Sequence, residues 1–171
     1  MKRLTSILFA LTILLSTTAF AQDFKFGHIN SQELLAQLPD RNAAQTEIEA
    51  YASKLEEQQK SMEDELNNKY EDYLAKRDTY TDLIKATKEK ELQQLQQQIT
   101  TFNQVAMQDL QQKEADLIKP IIDKVQKAID EVGKENGFTY IFDLSNRTVL
   151  YHSTQSVDVT PLVKKKLGVV Q

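Results

Sequence analysis

The sequence predicts an α+β protein that is mostly α: a small β body built by oligomerisation, with a long antiparallel helical hairpin, a coiled-coil arm, projecting from each subunit. Three observations carry this. From Asp40 to Lys119 the chain contains neither Gly nor Pro, the residues that punctuate turns and end helices. Apolar residues in that stretch recur three or four apart in two matching runs, and each run makes one stripe on a helix. The rest of the chain offers only three short strand-like runs, too little sheet to bury both of its faces within one subunit.

Taken in order, the chain divides into residues 1–21, 22–39, 40–119 and 120–171. Lys2 and Arg3 precede an apolar run from Leu4 to Ala19, with small residues Ala19 and Ala21 at the cleavage-defining positions. This is the pattern of a secretory signal peptide, and the run is shorter than the ~20 apolar residues of a membrane anchor. The mature chain is expected to start at Gln22 and to be exported and soluble. No Cys is present, which leaves neither a disulfide framework nor a lipid attachment site.

Residues 22–39 are expected to form part of the body. Phe24 to Ile29 alternates as a short strand with Phe24, Phe26 and His28 on one face. Asn30 is a good N-cap and Glu33 completes a capping box. Leu34, Leu35 and Leu38 give the short helix an apolar side before Pro39 stops it, and Asp40 caps the long helix that follows.

Residues 40–119 form the arm. The outgoing stripe is Ile48, Tyr51, Ala52, Leu55, Met62, Leu66, Tyr70, Tyr73, Arg77 and Tyr80, and the returning one is Leu92, Leu95, Ile99, Phe102, Ala106, Leu110 and Leu117. A helix folded back on itself brings the stripes together, with arms of roughly 60 Å at 1.5 Å per residue. The turn is expected between Asp78 and Thr87, where the seam becomes irregular and threonines lower helix propensity. A turn near Asp82 sets Met62 opposite Phe102 and Leu55 opposite Asp109 or Leu110, to within about one helical turn.

In residues 120–171, Pro120 predicts a kink or break, because it lacks an amide donor and its ring crowds the preceding turn. Ile121, Ile122, Val125, Ala128, Ile129 and Val132 then make a strong stripe that Asn136 and Gly137 end. Two strands, Phe138 to Leu144 and Thr148 to Tyr151, read as a hairpin through Ser145, Asn146 and Arg147. Phe138, Tyr140 and Phe142 on one strand face and Ile141 on the other are the residues expected to build the oligomeric body. Thr160 as N-cap and Pro161 at the first position open a last helix through Leu167.

Charge narrows the function. The chain carries a net −4, and losing Lys2 and Arg3 leaves 19 basic against 25 acidic residues, which argues against nucleic acid as a partner. The acid is concentrated in the outgoing helix, where nine carboxylates from Glu47 to Asp72 meet only Lys54, Lys60 and Lys69, whereas at the tip Lys76, Arg77, Lys85, Lys88 and Lys90 outnumber the acids, as a mild basic patch or as ordinary charge mixing. Pairs among the arm carboxylates lack a pocket that shifts their pKa values apart, as acid–base catalysis needs. His28 and His152 are the only histidines and come without clustered ligands. No active site, cofactor or metal is expected.

The short strand, small helix, Pro and long glycine-free hairpin, followed by Ile118 to Val125 (IKPIIDKV) and Gly137 to Asp143 (GFTYIFD), resemble the Skp (OmpH-like) periplasmic chaperones over essentially the whole mature chain. Leu117 to Tyr151 with the closing Asp158, Val159 and Thr160 carry the most specific part. The resemblance implies a homotrimer with a β body and three arms enclosing a cavity, which holds unfolded outer-membrane proteins without ATP. The absence of a phosphate-binding glycine loop agrees with this independently. Family members have been linked to lipopolysaccharide or anionic lipid through basic arms, and the acidic arm here argues against both.

The candidate client-binding residues are Tyr51, Met62, Tyr70, Tyr73, Tyr80, Phe102 and Met107, since Met and Tyr suit adaptable contact. Packing in the seam between the helices is the competing role for each. A second reading is a structural coiled-coil spacer or adaptor of the cell envelope. Such a spacer needs a tight seam, whereas Gln58 or Gln59, Lys69, Lys88 and Lys113 stand near core positions here.

Overall fold

The computed structural model describes residues 24–169; the expected signal peptide and the start at Gln22 lie outside them. The described elements are β1 (Phe26–Ile29), α1 (Ser31–Ala36), α2 (Pro39–Lys76), a 3₁₀ turn (Arg77–Thr79), α3 (Asp82–Glu135), β2 (Tyr140–Asp143), β3 (Val157–Asp158) and α4 (Thr160–Leu167). Helices α2 and α3 form the hairpin, and the strands make one small sheet. This is the mostly helical α+β architecture that the sequence predicts.

Asn30 caps α1 by accepting the amide proton of Glu33 at 3.1 Å. The Glu33 carboxylate returns to the Asn30 side-chain amide at 3.4 Å rather than to its backbone, so the capping box closes between side chains. Pro39 does not only end α1. It is the first residue of α2, with Leu38 at the N-cap, where its missing donor and fixed φ fit a helix start.

The turn falls at the early edge of the expected window. Arg77 is part of the 3₁₀ turn rather than the seam, and Thr81 caps α3 by accepting from the Ile84 amide at 3.4 Å. Thr87 lies inside α3, with its hydroxyl on the Leu83 carbonyl at 2.9 Å. The register shifts accordingly: the Tyr51 hydroxyl, not Leu55, meets Asp109, and Lys113 meets Glu47 at 2.6 Å.

Helix α3 does not break at Pro120 but runs unbroken through it. Pro120 is on the exposed side, as is Asp116, whose carbonyl loses the donor. Water can serve that carbonyl, while Leu117 and Ile121 on the other side keep their packing. Ile121, Val125, Ala128 and Val132 are buried in one cluster with Ile29, Leu34, Leu38, Ala44, Val159 and Val163. The base of α3 is thus the floor on which β1, α1 and α4 pack. Ile122 departs from the expected stripe and is largely exposed. The helix ends as expected at Asn136, with Gly137 at φ 67 and the Phe138 amide reaching back to the Gly133 carbonyl at 3.0 Å.

The sheet differs from the expected hairpin. Its order is β2-β1-β3, and β1 pairs in parallel with both neighbours, Phe26 with Tyr140 and His28 with Asp158. Thr148 to Tyr151 is not a strand among the described residues. The Asp143 carboxylate takes the Ser31 and Ser145 amides at 3.1 and 3.0 Å and closes β2. Arg147 then turns the chain away in a left-handed conformation, φ 56. Reaching the far side of β1 for a parallel pairing requires a crossover, and Val149 to Ser156 make it over the outer face of the sheet. Helix α4 is capped one residue earlier than expected: Val159 is the N-cap, and the Asp158 carboxylate accepts the Thr160 amide at 2.8 Å.

Candidate functional site

Alternation sorts the strands. Gly27, Ile29, Ile141 and Asp143 turn toward the core, and Phe26, Tyr140 and Phe142 turn out. Together with Phe24 the outward rings form a ladder, with centroids 5.9 to 6.3 Å apart. Of the four residues assigned to the oligomeric body, Tyr140 and Phe142 are on this ladder and Ile141 is on the inner face. Phe138 departs from the expected face: it precedes the strand, packs against the core and lies under Lys25, whose ammonium is 4.2 Å from the ring centroid. The crossover segment and the ladder flank an open cavity of about 680 Å³. In it His28 and His152 stack at 4.2 Å, and His28 Nδ1 meets Ser156 Oγ at 2.8 Å. No cluster of three or more His, Cys, Asp or Glu suited to a metal occurs among the described residues.

The arm is closed by a thin seam. Beyond Ala44, its buried hydrophobic residues are Tyr73, Leu95 and Ile99. The seven client-binding candidates divide accordingly. Tyr73 is buried, its hydroxyl on Glu89 at 2.5 Å, and stacks with Tyr80 at 6.5 Å. Tyr51, Met62, Tyr80 and Phe102 are half-buried along the seam. Only Tyr70, 51% exposed, and Met107, 66% exposed, present most of the side chain to solvent.

Other exposed apolar residues were not singled out by the stripes. Leu74, Leu83, Ile84 and Val105 are 49%, 79%, 42% and 56% exposed. The signal for them was available: each is a large apolar residue outside the 3.6-residue stripe, where a solvated helix face ordinarily carries polar groups. Four of the five basic residues of the tip are paired, and Lys90 makes no ion pair among the described residues. Lys76 pairs with Asp72, Arg77 with Asp78, Lys85 with Asp82 and Lys88 with Glu91, and the bonded carboxylates hold the Lys76 and Lys88 ammonium groups above their ordinary range.

The seam also contains polar groups. Gln59, Lys88, Asn103 and Lys113 are half-buried in it, and the Asn103 carbonyl oxygen is buried without a hydrogen-bond partner. An unpaired buried acceptor costs about 1–3 kcal/mol. Lys113 is retained by Glu47, which holds its ammonium above the usual range. No helix among the described residues is long and apolar enough to cross a membrane.

Comparison with known proteins places this geometry. No curated protein matches the chain. Among solved structures, an OmpH-like protein of Caulobacter crescentus, described as an outer membrane chaperone, superposes with a TM-score of 0.74 at 13% identity, covering 84% of this chain and 83% of that one. At that identity the likeness establishes a common fold. The family model for outer membrane protein (OmpH-like) matches residues 25–167, from the first strand through the last helix. The chain therefore belongs to the OmpH-like family.

Proposed function

We propose that the protein is an ATP-independent periplasmic holdase chaperone, a homo-oligomer and by resemblance a trimer, whose arms enclose a cavity that holds unfolded outer-membrane β-barrel proteins. The observation that carries this reading is the arm itself. It keeps Tyr70, Leu74 and Met107 in solvent over a seam with few buried residues. Scattered, flexible apolar contacts suit a client with no fixed shape. Membership in the OmpH-like family and the apolar run from Leu4 to Ala19 support an exported chaperone. The aromatic ladder and the open edges of β2 and β3 supply an interface for neighbouring copies.

A structural spacer of the envelope is the other reading. The half-buried Gln59, Lys88 and Lys113 and the unpaired Asn103 oxygen count against it, because a rigid spacer needs a continuous apolar seam.

Native mass spectrometry of the exported protein, alone and with a barrel protein diluted out of urea, tests the proposal. The expected spectra show a subunit beginning at Gln22, a trimer, and a trimer carrying client. A monomer that takes up no client overturns it.

A further inference from the structure

The two long sides of the arm are chemically different. One side carries the ion pairs of the shaft: Glu65 with Lys69, Asp72 with Lys76, Lys88 with Glu91 and Glu47 with Lys113. A groove on this side is lined by Lys69, Asp72, Lys88 and Glu91. The groove on the opposite side is lined by Leu66, Asn67, Tyr70, Gln93 and Gln96. Helical spacing of three and four extends that side from Gln93 and Gln96 through Thr100 and Asn103 to Met107 on α3. On α2 it extends to Leu74 in one direction and, at seven-residue steps back from Tyr70, to Glu63, Glu56 and Glu49 in the other.

These three carboxylates are exposed and make no ion pair among the described residues. Glu49 and Glu63 accept only from the neutral amides of Gln45 and Gln59, at 2.8 and 2.9 Å. Lys60 is nearby but pairs with none of them. The side therefore combines exposed Tyr70, Leu74 and Met107 with three carboxylates outside any ion pair and a single cation, Lys60, between them, whereas the ion pairs of the shaft lie on the other side, beside a Lys54 that is unpaired among the described residues.

We infer that the side bearing Tyr70, Leu74 and Met107 is the client-facing surface, and that it selects unfolded segments in which Lys or Arg alternates with apolar residues. The inference rests on the holdase reading and names the client chemistry. Apolar side chains of the client meet the Tyr and Met groups, and its cations answer Glu49, Glu56 and Glu63. Exposed charges in water attract modestly one by one, but three in a row along one helix side act together on a flexible chain.

The test compares Glu49→Gln/Glu56→Gln/Glu63→Gln with a control of equal charge change, Glu57→Gln/Asp64→Asn/Glu71→Gln, on the helix back. The client is a urea-unfolded outer-membrane barrel protein, unmodified or with its lysines acetylated. The first variant should bind the unmodified client about tenfold more weakly, from the summed loss of three exposed attractions, and the control should match the wild type. Acetylation should weaken capture by the wild type but not by the first variant. Because the chain has no Cys, a single thiol-reactive dye at Met107→Cys, or at Val105→Cys, two seven-residue steps beyond Glu91 on the ion-pair side, reports the side directly. Client should shift the emission at position 107 and leave 105 unchanged. Equal capture of both client forms, equal loss in both triple variants, or a shift at 105 alone overturns the inference while leaving holding intact. A wild type that captures neither client form overturns the holdase reading and the inference with it.

Discussion

Tyr73 donates its hydroxyl proton to Glu89 at 2.5 Å, tying the outgoing helix to the returning one near the tip while its ring, 7% exposed, plugs the seam. Tyr51 makes the same kind of bond to Asp109 in the lower half of the arm. The two pairs fix the register of a hairpin that has few buried apolar contacts to fix it otherwise.

Both hydroxyls are held above the usual tyrosine range, first by the hydrogen bond to the carboxylate and then by partial burial. A raised pKa means that the folded state favours the protonated phenol. The stability from these bonds is therefore fully present below the unfolded value of about 10 and is lost as pH rises through the higher folded values. Ultraviolet titration should show two tyrosines ionising late among the six. Tyr51→Phe/Tyr73→Phe should remove both late steps, and a variant that retains them refutes the assignment.

Gly27 is a packing requirement of the body. A Cβ there stands 2.9 Å from Val159 Cγ1 and 3.2 Å from the Phe138 ring, and Val159 is fully buried. Gly27→Ala should destabilise the body by about 1–3 kcal/mol, the usual range for overpacking, seen as a lower urea midpoint. An unchanged midpoint shows that Phe138 and Val159 have room to move.

Asp143 joins the end of β2 to the start of α1. Its carboxylate accepts from the Ser31 amide and hydroxyl and from the Ser145 amide and hydroxyl. Burial alone raises its pKa, but the four donors outweigh burial and hold it below the ordinary range. The sign is that of a depressed carboxylate: its contribution is present above about pH 4 and is lost as pH falls through the lower folded value. Asp143→Asn should cost about 1–2 kcal/mol at neutral pH and should flatten the acid limb of a stability profile. A parallel shift of the whole profile refutes the clamp.

The hairpin was legible because its signals are local. The stretch without Gly or Pro, two stripes, and capping groups at Asn30 and Asn136 each act over a few residues. The sheet was not, because β1 and β2 are neighbours in space and far apart in sequence: the Thr139 amide donates to the Lys25 carbonyl at 2.8 Å. Strand character near Thr148 cannot specify a partner, and the adjacent run suggested a hairpin where β1 supplied the pairing. On the arm, the stripes identified the seam and so favoured residues that the fold half-buries. Leu74, Leu83, Ile84 and Val105 fall outside every stripe, which is the reason they are exposed.

The last prediction separates holding from assembly. Tyr51 with Asp109 and Tyr73 with Glu89 set Met62 opposite Ile99, so removing Glu63 to Gln98 and closing with a short Gly-containing turn shortens both helices equally. The deletion takes Tyr70, Tyr73, Leu74, Leu83 and Ile84 with it. It spares the latches Tyr51–Asp109, Glu47–Lys113 and Asp40–Lys124, the buried cluster at the base of α3 and all three strands. If client is held between the arms and copies associate through the body, the shortened protein keeps the oligomeric mass of the full chain yet fails to suppress aggregation of a barrel protein diluted from urea. Full suppression places the client on the aromatic face of the body instead. Loss of the oligomer with the body still folded by circular dichroism shows that arms hold copies together, which is the behaviour of a structural coiled coil.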